Sequence, residues 1–323
     1  MSQAKLKVGV YWGASCGGCD VAFLDIHEKI LDVVQVAEVK FWPCAMDFKY
    51  KDVEGYPDGY LDITLFNGAI RNSENEHVAH LLRKKSKIMV AFGACAHMGG
   101  IPGLANFWAK KDIFASAYLE SPSTENPQKI VPQVETQVPE GTLKIPELYE
   151  NVRTLAQTID VDYTVPGCPP NPEQIAIVLT AVATGKLPAK GAVVGASDKA
   201  MCEDCPRKKK ELKFKKFQRR HLVHPDPEIC FMEQGIVCLG AATRAGCGWR
   251  CIGSNMPCRG CYGPLPNVAD QGAKILAAIA SHIDSEDPQE VERILDGIPD
   301  PAGYFYRFGL PLSLLHRRHL GDR

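Results

Sequence analysis

The sequence predicts an α/β fold built on a parallel sheet, followed by an irregular cysteine-rich segment. Two observations predict it. Short apolar runs alternate with helical periodicity over roughly the first 185 residues, the pattern of a sheet covered on both faces. From about Pro188 the periodicity fades, and eight cysteines fall between Cys202 and Cys261 among Gly and Pro. With 323 residues, the chain is long enough for a sizeable core and more than one unit.

Lys7 to Trp12 (KVGVYW) is an apolar run ending at Gly13, as in a buried strand. Apolar residues then return at helical spacing from Cys19 to Val34, through Phe23, Leu24, Ile30 and Leu31, which predicts a helix. Val36 to Trp42 reads as a second strand stopped by Pro43, and Asp62 to Phe66 as a third broken at Asn67-Gly68. A helix over Asn75 to Lys85 ends in Arg83, Lys84 and Lys85, where the helix dipole favours positive charge. Ile88 to Phe92 and Val161 to Val165 complete the strands, and Pro172 opens a helix that closes near Gly185. Gly103 to Val161 is Pro-rich and weakly periodic, an excursion over the surface. The cysteine-rich stretch offers few large apolar side chains, so bound metal is expected to supply part of its folding energy. Two modest helices are expected at Asp270 to Ile283 and Asp287 to Leu295, before an aromatic, basic tail from Ala302 whose role is not legible. The expected units are 1–187 for the sheet, 188–266 for the cysteine-rich part and 267–323 for a helical extension.

Composition excludes several classes. Lys plus Arg total 37 against 38 for Asp plus Glu, so the chain is no polycation for nucleic acid or anionic lipid. The longest apolar run, Ile175 to Ala183, is far below the ~20 residues of a membrane span. The N-terminus lacks the apolar core of a secretory signal, so the expected compartment is the cytoplasm. No G-x-G-x-x-G follows a strand and no G-x-x-x-x-G-K occurs, so neither NAD, flavin nor nucleotide is expected.

The outlier is cysteine, present thirteen times. A reducing cytosol disfavours disulfides, and thiols kept reduced in such number point to metal. Cys16 and Cys19 follow the first strand, Cys95 the fourth and Cys168 the fifth. Strand carboxyl ends line the crevice of an open α/β sheet, so these four thiolates can converge. The surrounding glycines let backbone approach a bulky inorganic cluster and aim amides at its sulfides, which favours iron–sulfur over zinc. The remaining ligands fall into two groups of four: Cys202, Cys205, Cys230 and Cys238, then Cys247, Cys251, Cys258 and Cys261. Spacing alone suits either zinc or iron–sulfur there. Cys44 is left over, a free buried thiol or a substitute ligand.

Trp12-Gly-Ala-Ser-Cys16-Gly-Gly-Cys19, Gly93-Ala-Cys95-Ala and Val165-Pro-Gly-Cys168-Pro-Pro resemble the proximal-cluster motifs of NiFe-hydrogenase small subunits. The run from Cys230-Phe-Met-Glu-Gln-Gly through Thr243-Arg-Ala-Gly-Cys247 to Pro257-Cys258-Arg-Gly-Cys261-Tyr-Gly-Pro resembles one cytosolic branch. That branch is the methyl-viologen-reducing type, which does not reduce the deazaflavin coenzyme and feeds heterodisulfide reductase. The resemblance covers roughly residues 5 to 280. It implies a flavodoxin-like first domain and three 4Fe-4S clusters in a line. Cys16, Cys19, Cys95 and Cys168 would hold the proximal cluster, Cys247, Cys251, Cys258 and Cys261 the medial, and Cys202, Cys205, Cys230 and Cys238 the distal. Membrane-bound relatives start the distal site with histidine and lack a fourth medial cysteine, giving a 3Fe-4S cluster. Here Cys202 and Cys251 stand in those places. Related sequences also often carry glutamate where this one has Asn67, so a carboxylate near the proximal site, or a proton path, is missing or supplied elsewhere.

The implied function is electron relay between the NiFe centre of a large subunit and an iron–sulfur or heterodisulfide-reductase-type partner, with no hydrogen-splitting residues in this chain. Sulfhydrogenase and NADP-linked hydrogenase small subunits share the motifs. A zinc-ribbon protein that binds nucleic acid is the alternative from another class. The segment Arg207 to Arg220 has nine basic residues in fourteen. It reads as a solvated hairpin or helix face, or as a docking patch for an acidic electron acceptor, with nucleic acid disfavoured by the neutral whole. His97 reads as a satisfied neighbour of the first site or as a hydrogen-bond partner of a cluster there, and His221 and His224 as surface residues.

Overall fold

The computed structural model describes residues 5–316. Five parallel strands form the central sheet: β1 (Leu6–Trp12), β2 (Ala37–Phe41), β3 (Leu61–Asn67), β4 (Ser86–Phe92) and β5 (Tyr163–Val165). Their order is β2-β1-β3-β4-β5, the flavodoxin-like doubly wound arrangement. One face buries Val8, Val10, Ile63, Leu65, Val90 and Phe92 under the Gly18–Leu24 and Pro172–Thr184 helices. The other buries Tyr11, Phe66 and Met89 under the Ser73–Lys85 helix through Val78, Ala79 and Leu82. The two long helices start where the chain supplies caps. Asn72 accepts from the Asn75 amide at 2.8 Å, and Asn171 forms a capping box with Gln174.

The helical pattern from Cys19 to Val34 is interrupted. A helix over Gly18–Leu24 ends, a 3-10 turn covers His27–Lys29, and a second helix runs over Ile30–Val36. His27 takes φ 54°, which resets the helical phase. Ile26 continues the buried stripe of Cys19, Ala22 and Phe23, while Leu24, Leu31 and Val34 face outward despite their spacing.

The 103–161 excursion lies on the surface as expected, with an exposed hairpin of Glu135–Val138 and Gly141–Lys144. It returns, however, in a strand that the weak periodicity does not announce. Leu148–Arg153 pairs antiparallel with Ile70–Asn72 beside the main sheet.

The expectation that the cysteine-rich stretch lacks the apolar side chains to hold itself together needs correction. Met201, Phe214, Phe217, Phe231, Ile236, Leu239 and Ile252 form a core with Ile275 and Ile279 of the Gln271–Ala280 helix and Ile294 of the Pro288–Leu295 helix. Its parts come from segments too far apart to register as local periodicity. The tail completes it: after a short helix at Pro301–Phe305, residues Phe305, Tyr306 and Leu310 are buried in the same core. The tail then straps back over the first half. The Gly100 amide donates to the Phe308 carbonyl, Gln157 Nε2 to that of Pro311 and Asn106 Nδ2 to that of His316, all within 2.9 Å. The rest of the tail, 317–323, lies outside the described residues. Among the described residues no helix is long and apolar enough to cross a membrane.

Candidate metal centres

The first group forms at the carboxyl ends of β1, β4 and β5. Gly17, at φ 79°, caps the helix that carries Cys19, and Gly93, at φ 87°, turns the chain from β4 into the short Ala94–Met98 helix that carries Cys95. Gly167, at φ 130°, turns the chain from β5 into Cys168. A Cβ at Gly93 would collide with Cys19 Sγ, and one at Gly100 with Cys95 Sγ, so glycine is needed for these approaches. The four thiols act on one another. Burial pushes the Cys19 thiol far up, reinforced by Cys95, Cys168, Asp20 and Cys16. Burial, then Cys168 and Cys16, push Cys95 up to about 12.

The other eight thiols ring two cavities. Cys247, Cys251, Cys258 and Cys261 line one of about 280 Å³, which Cys168 of the first group also reaches. Cys202, Cys205, Cys230 and Cys238 line another of about 370 Å³. Backbone amides point at the sulfurs: Arg250 and Trp249 at Cys247, Gly260 at Cys258, and Met232 and Glu233 at Cys230. Burial still outweighs these donors and holds Cys258 and Cys261 up at about 12 and Cys202 at about 11. Burial thus disfavours the thiolate at Cys202, Cys258 and Cys261, and the positive charge of a bound metal would favour it.

The three groups adjoin in a series. Cys261 is pushed up by burial and then by Cys168, linking the first group to the second. Cys238 is pushed up by burial and then by Cys258, whose amide donates to Cys238 Sγ at 3.3 Å, linking the second group to the third. Among the described residues no three His, Cys, Asp or Glu side chains close on a point as a single ion requires; the thiols surround volume instead. Four-thiol groups of mixed exposure, with inward amides and glycine clearance, fit a multi-atom iron–sulfur group.

Asp20 was not legible as a site residue, because a lone Asp after a cysteine carries no signal. It is buried, and Trp42 Nε1 donates to it at 2.7 Å, Asn67 Nδ2 at 2.9 Å and Cys44 Sγ at 3.2 Å. Asn67 also accepts from the Ser15 hydroxyl at 3.0 Å. A carboxylate therefore does stand beside the first site, supplied by Asp20 and oriented by Asn67. Cys44 belongs to this network and to none of the three groups. His97 Nδ1 is buried without a partner, which corrects the expectation of a satisfied ring, and burial pushes that ring down to about 4. His221 and His224 are both exposed, as expected.

The basic segment is neither hairpin nor helix over most of its length. Phe214 and Phe217 anchor it in the core, and the Arg207 guanidinium lies 3.8 Å from the centre of the Phe231 ring. Its lysines face outward, and Lys209 Nζ reaches the Cys202 carbonyl at 2.6 Å, at the rim of the cavity lined by Cys202, Cys205, Cys230 and Cys238.

Residues 16–182 match the family model described as NADH ubiquinone oxidoreductase, 20 Kd subunit. The chain is similar to the iron-sulfur subunit of the F420-non-reducing hydrogenase of Archaeoglobus profundus, 40% identical over 97% of this chain and 98% of that one. It is similar also to a subunit of the F420-non-reducing hydrogenase of Methanothermobacter thermautotrophicus, 39% identical over 96% of both. Among solved structures it resembles a chain of an NAD+-reducing [NiFe]-hydrogenase in the H2-reduced state, with TM-score 0.50 and 30% identity, covering 57% of this chain and 94% of that one.

Proposed function

Because the chain belongs to the NADH ubiquinone oxidoreductase 20 Kd subunit family, and within it to the small subunits of F420-non-reducing hydrogenases, we propose that it relays electrons through three 4Fe-4S sites. It is the small, electron-transferring subunit of a NiFe hydrogenase and part of an oxidoreductase complex. The observation that carries the finer reading is the series of twelve thiols in three adjoining sets, linked by Cys168 to Cys261 and by Cys258 to Cys238.

In this reading Cys16, Cys19, Cys95 and Cys168 hold the site nearest the large subunit's NiFe centre. Cys247, Cys251, Cys258 and Cys261 hold the medial site, and Cys202, Cys205, Cys230 and Cys238 the distal one. Clusters bound there supply one-electron redox chemistry. The chain's own residues hold iron with thiolate, exclude water by burial and aim amides at sulfur, which together set potential. The complex works in the cytoplasm. Its distal site delivers to an iron–sulfur carrier of the heterodisulfide-reductase type, met by the lysines around Lys209 and Lys210.

Anaerobically purified complex tests this through iron and acid-labile sulfide analysis, followed by reduction with hydrogen. The expected result is about twelve of each per small chain, bleaching under hydrogen. About four of each together with zinc would restrict the clusters to the first site and break the relay.

A further inference from the structure

Beside the medial centre lies a cavity of about 490 Å³ that the relay does not use. Arg219, Arg259 and Arg307 line it with Arg220 and Tyr304. These arginines come from distant parts of the sequence: the end of the basic segment, the loop between Cys258 and Cys261, and the C-terminal strap. Arg220 is committed to backbone, donating to the Asn255 carbonyl at 3.0 Å and to that of Val223 at 3.0 Å. The other three have no carboxylate in ion-pair range among the described residues; the arginine pairs of this fold lie elsewhere, at Arg83, Arg153, Arg244, Arg250 and Arg293. No acidic side chain lines the cavity among the described residues. Tyr304 lines the same cavity as the three guanidiniums, and that of Arg307 lies 5.1 Å from the centre of its ring.

We propose that this cavity is an oxyanion site that takes a multivalent anion of the phosphate class, and that its occupancy tunes the medial centre. Arg219 and Arg259 are exposed and Arg307 is half-buried, so water screens their mutual repulsion, and a multivalent anion shared among them gains from all three charges at once. A tetrahedral oxyanion presents enough acceptors for several guanidinium forks, whereas one carboxylate satisfies one. Arg259 and Arg307 also line the medial cavity, so the same two charges act on both. Positive charge beside a cluster favours its reduced form, and a bound anion cancels that charge and drives the medial potential more negative. The tuning half rests on the iron–sulfur reading of the medial thiols; the anion half does not.

The test is calorimetric titration of the anaerobically purified hydrogenase complex with inorganic phosphate and with pyrophosphate, in buffer free of phosphate and sulfate, with chloride as the monovalent control. A redox titration followed by electron paramagnetic resonance is run with and without phosphate. Saturable binding is expected, weakened about tenfold by Arg219→Gln and again by Arg307→Gln, since each removes a charge-assisted pair. The medial signal should move to lower potential while the proximal one holds. Absence of saturable heat, as when a carboxylate of the large subunit fills the cavity, overturns the site, and so does unchanged affinity in both variants. Binding with an unmoved medial potential overturns the tuning. Iron analysis of the same sample separates the premises: medial thiols without iron sink the relay reading, while the heat still decides the anion site.

Discussion

At the scale of single residues, the proximal site depends on groups that are not ligands. Gly93 sits at φ 87° against the Cys19 sulfur, and Gly100 at φ 59° against that of Cys95. Gly93→Ala should therefore strip the proximal site, lowering iron and sulfide by about four each per chain while the C-terminal sites stay loaded. Elemental analysis together with the paramagnetic spectrum checks this, and full loading would show that the crowding at Cys19 relaxes. Asp20 makes the second case. Its carboxylate abuts the proximal thiols and is held by Trp42, Asn67 and Cys44. Asp20→Asn removes a negative charge without removing volume, so the proximal midpoint potential should rise with iron content unchanged. A potential that stays put would mean that the carboxylate is screened from the site. Where Asn67 stands, its amide donates to a carboxylate that comes from the neighbouring helix. Cysteine motifs could be read from sequence because ligand spacing is local. The Asp20 network could not, since its members lie up to 47 positions apart.

At the scale of elements, the sheet was legible because each strand is a short apolar run stopped by Gly or Pro, and the two long helices because Arg83, Lys84 and Lys85 end one while Pro172 and Gly185 bound the other. The break at His27 was not, since the apolar spacing continues straight through it while the backbone changes phase. The core around Phe214, Phe231 and Ile275 was hidden for a different reason: it is assembled by tertiary contact and has no period. One clamp ties three elements of the sheet half. Asp162, just before β5, pairs with Arg83 at 2.6 Å and Lys190 at 2.7 Å and accepts from the Met89 amide at 2.8 Å. Burial alone would raise this carboxyl, but Lys190, the Met89 amide and Arg83 hold it below the usual range. Its folded pKa is thus depressed, so the clamp's stability is present above the ordinary carboxylate pKa near 4 and is lost as pH falls below it. Asp162→Asn should cost about 1–3 kcal/mol at neutral pH and flatten the acid limb of stability, measured by urea unfolding at several pH values. An acid limb identical to the parent's would assign that pH dependence to other carboxylates.

At the scale of the whole molecule, the strap and the two cores matter because electron relay needs the three thiol sets at fixed separation. The first set hangs on the sheet, the other two on the C-terminal core, and the strap through Phe308 and Pro311 joins them. Cys251 offers a way to disturb the series without disturbing that frame, for it is the exposed member of its set. Its backbone carbonyl, not its sulfur, accepts the local hydrogen bonds from Ser254 and Met256. Cys251→Ala should convert the medial site to a three-iron form, with loss of about one iron per chain. Fewer thiolates leave less negative charge on the site, so its potential rises and electrons arriving from the proximal side are held there. Hydrogen should still bleach the proximal site, whereas delivery to a low-potential acceptor should fall by roughly tenfold, about 1.4 kcal/mol of added barrier. Undiminished delivery would mean that electrons bypass the medial set, and a series drawn through Cys261 and Cys238 would no longer describe the path. Adding salt gives the complementary measurement at the far end. If the lysines around Lys209 steer the acceptor, parent and variant should slow by the same factor as ionic strength rises, because docking at the distal rim is a separate event from the transfer that Cys251→Ala impairs.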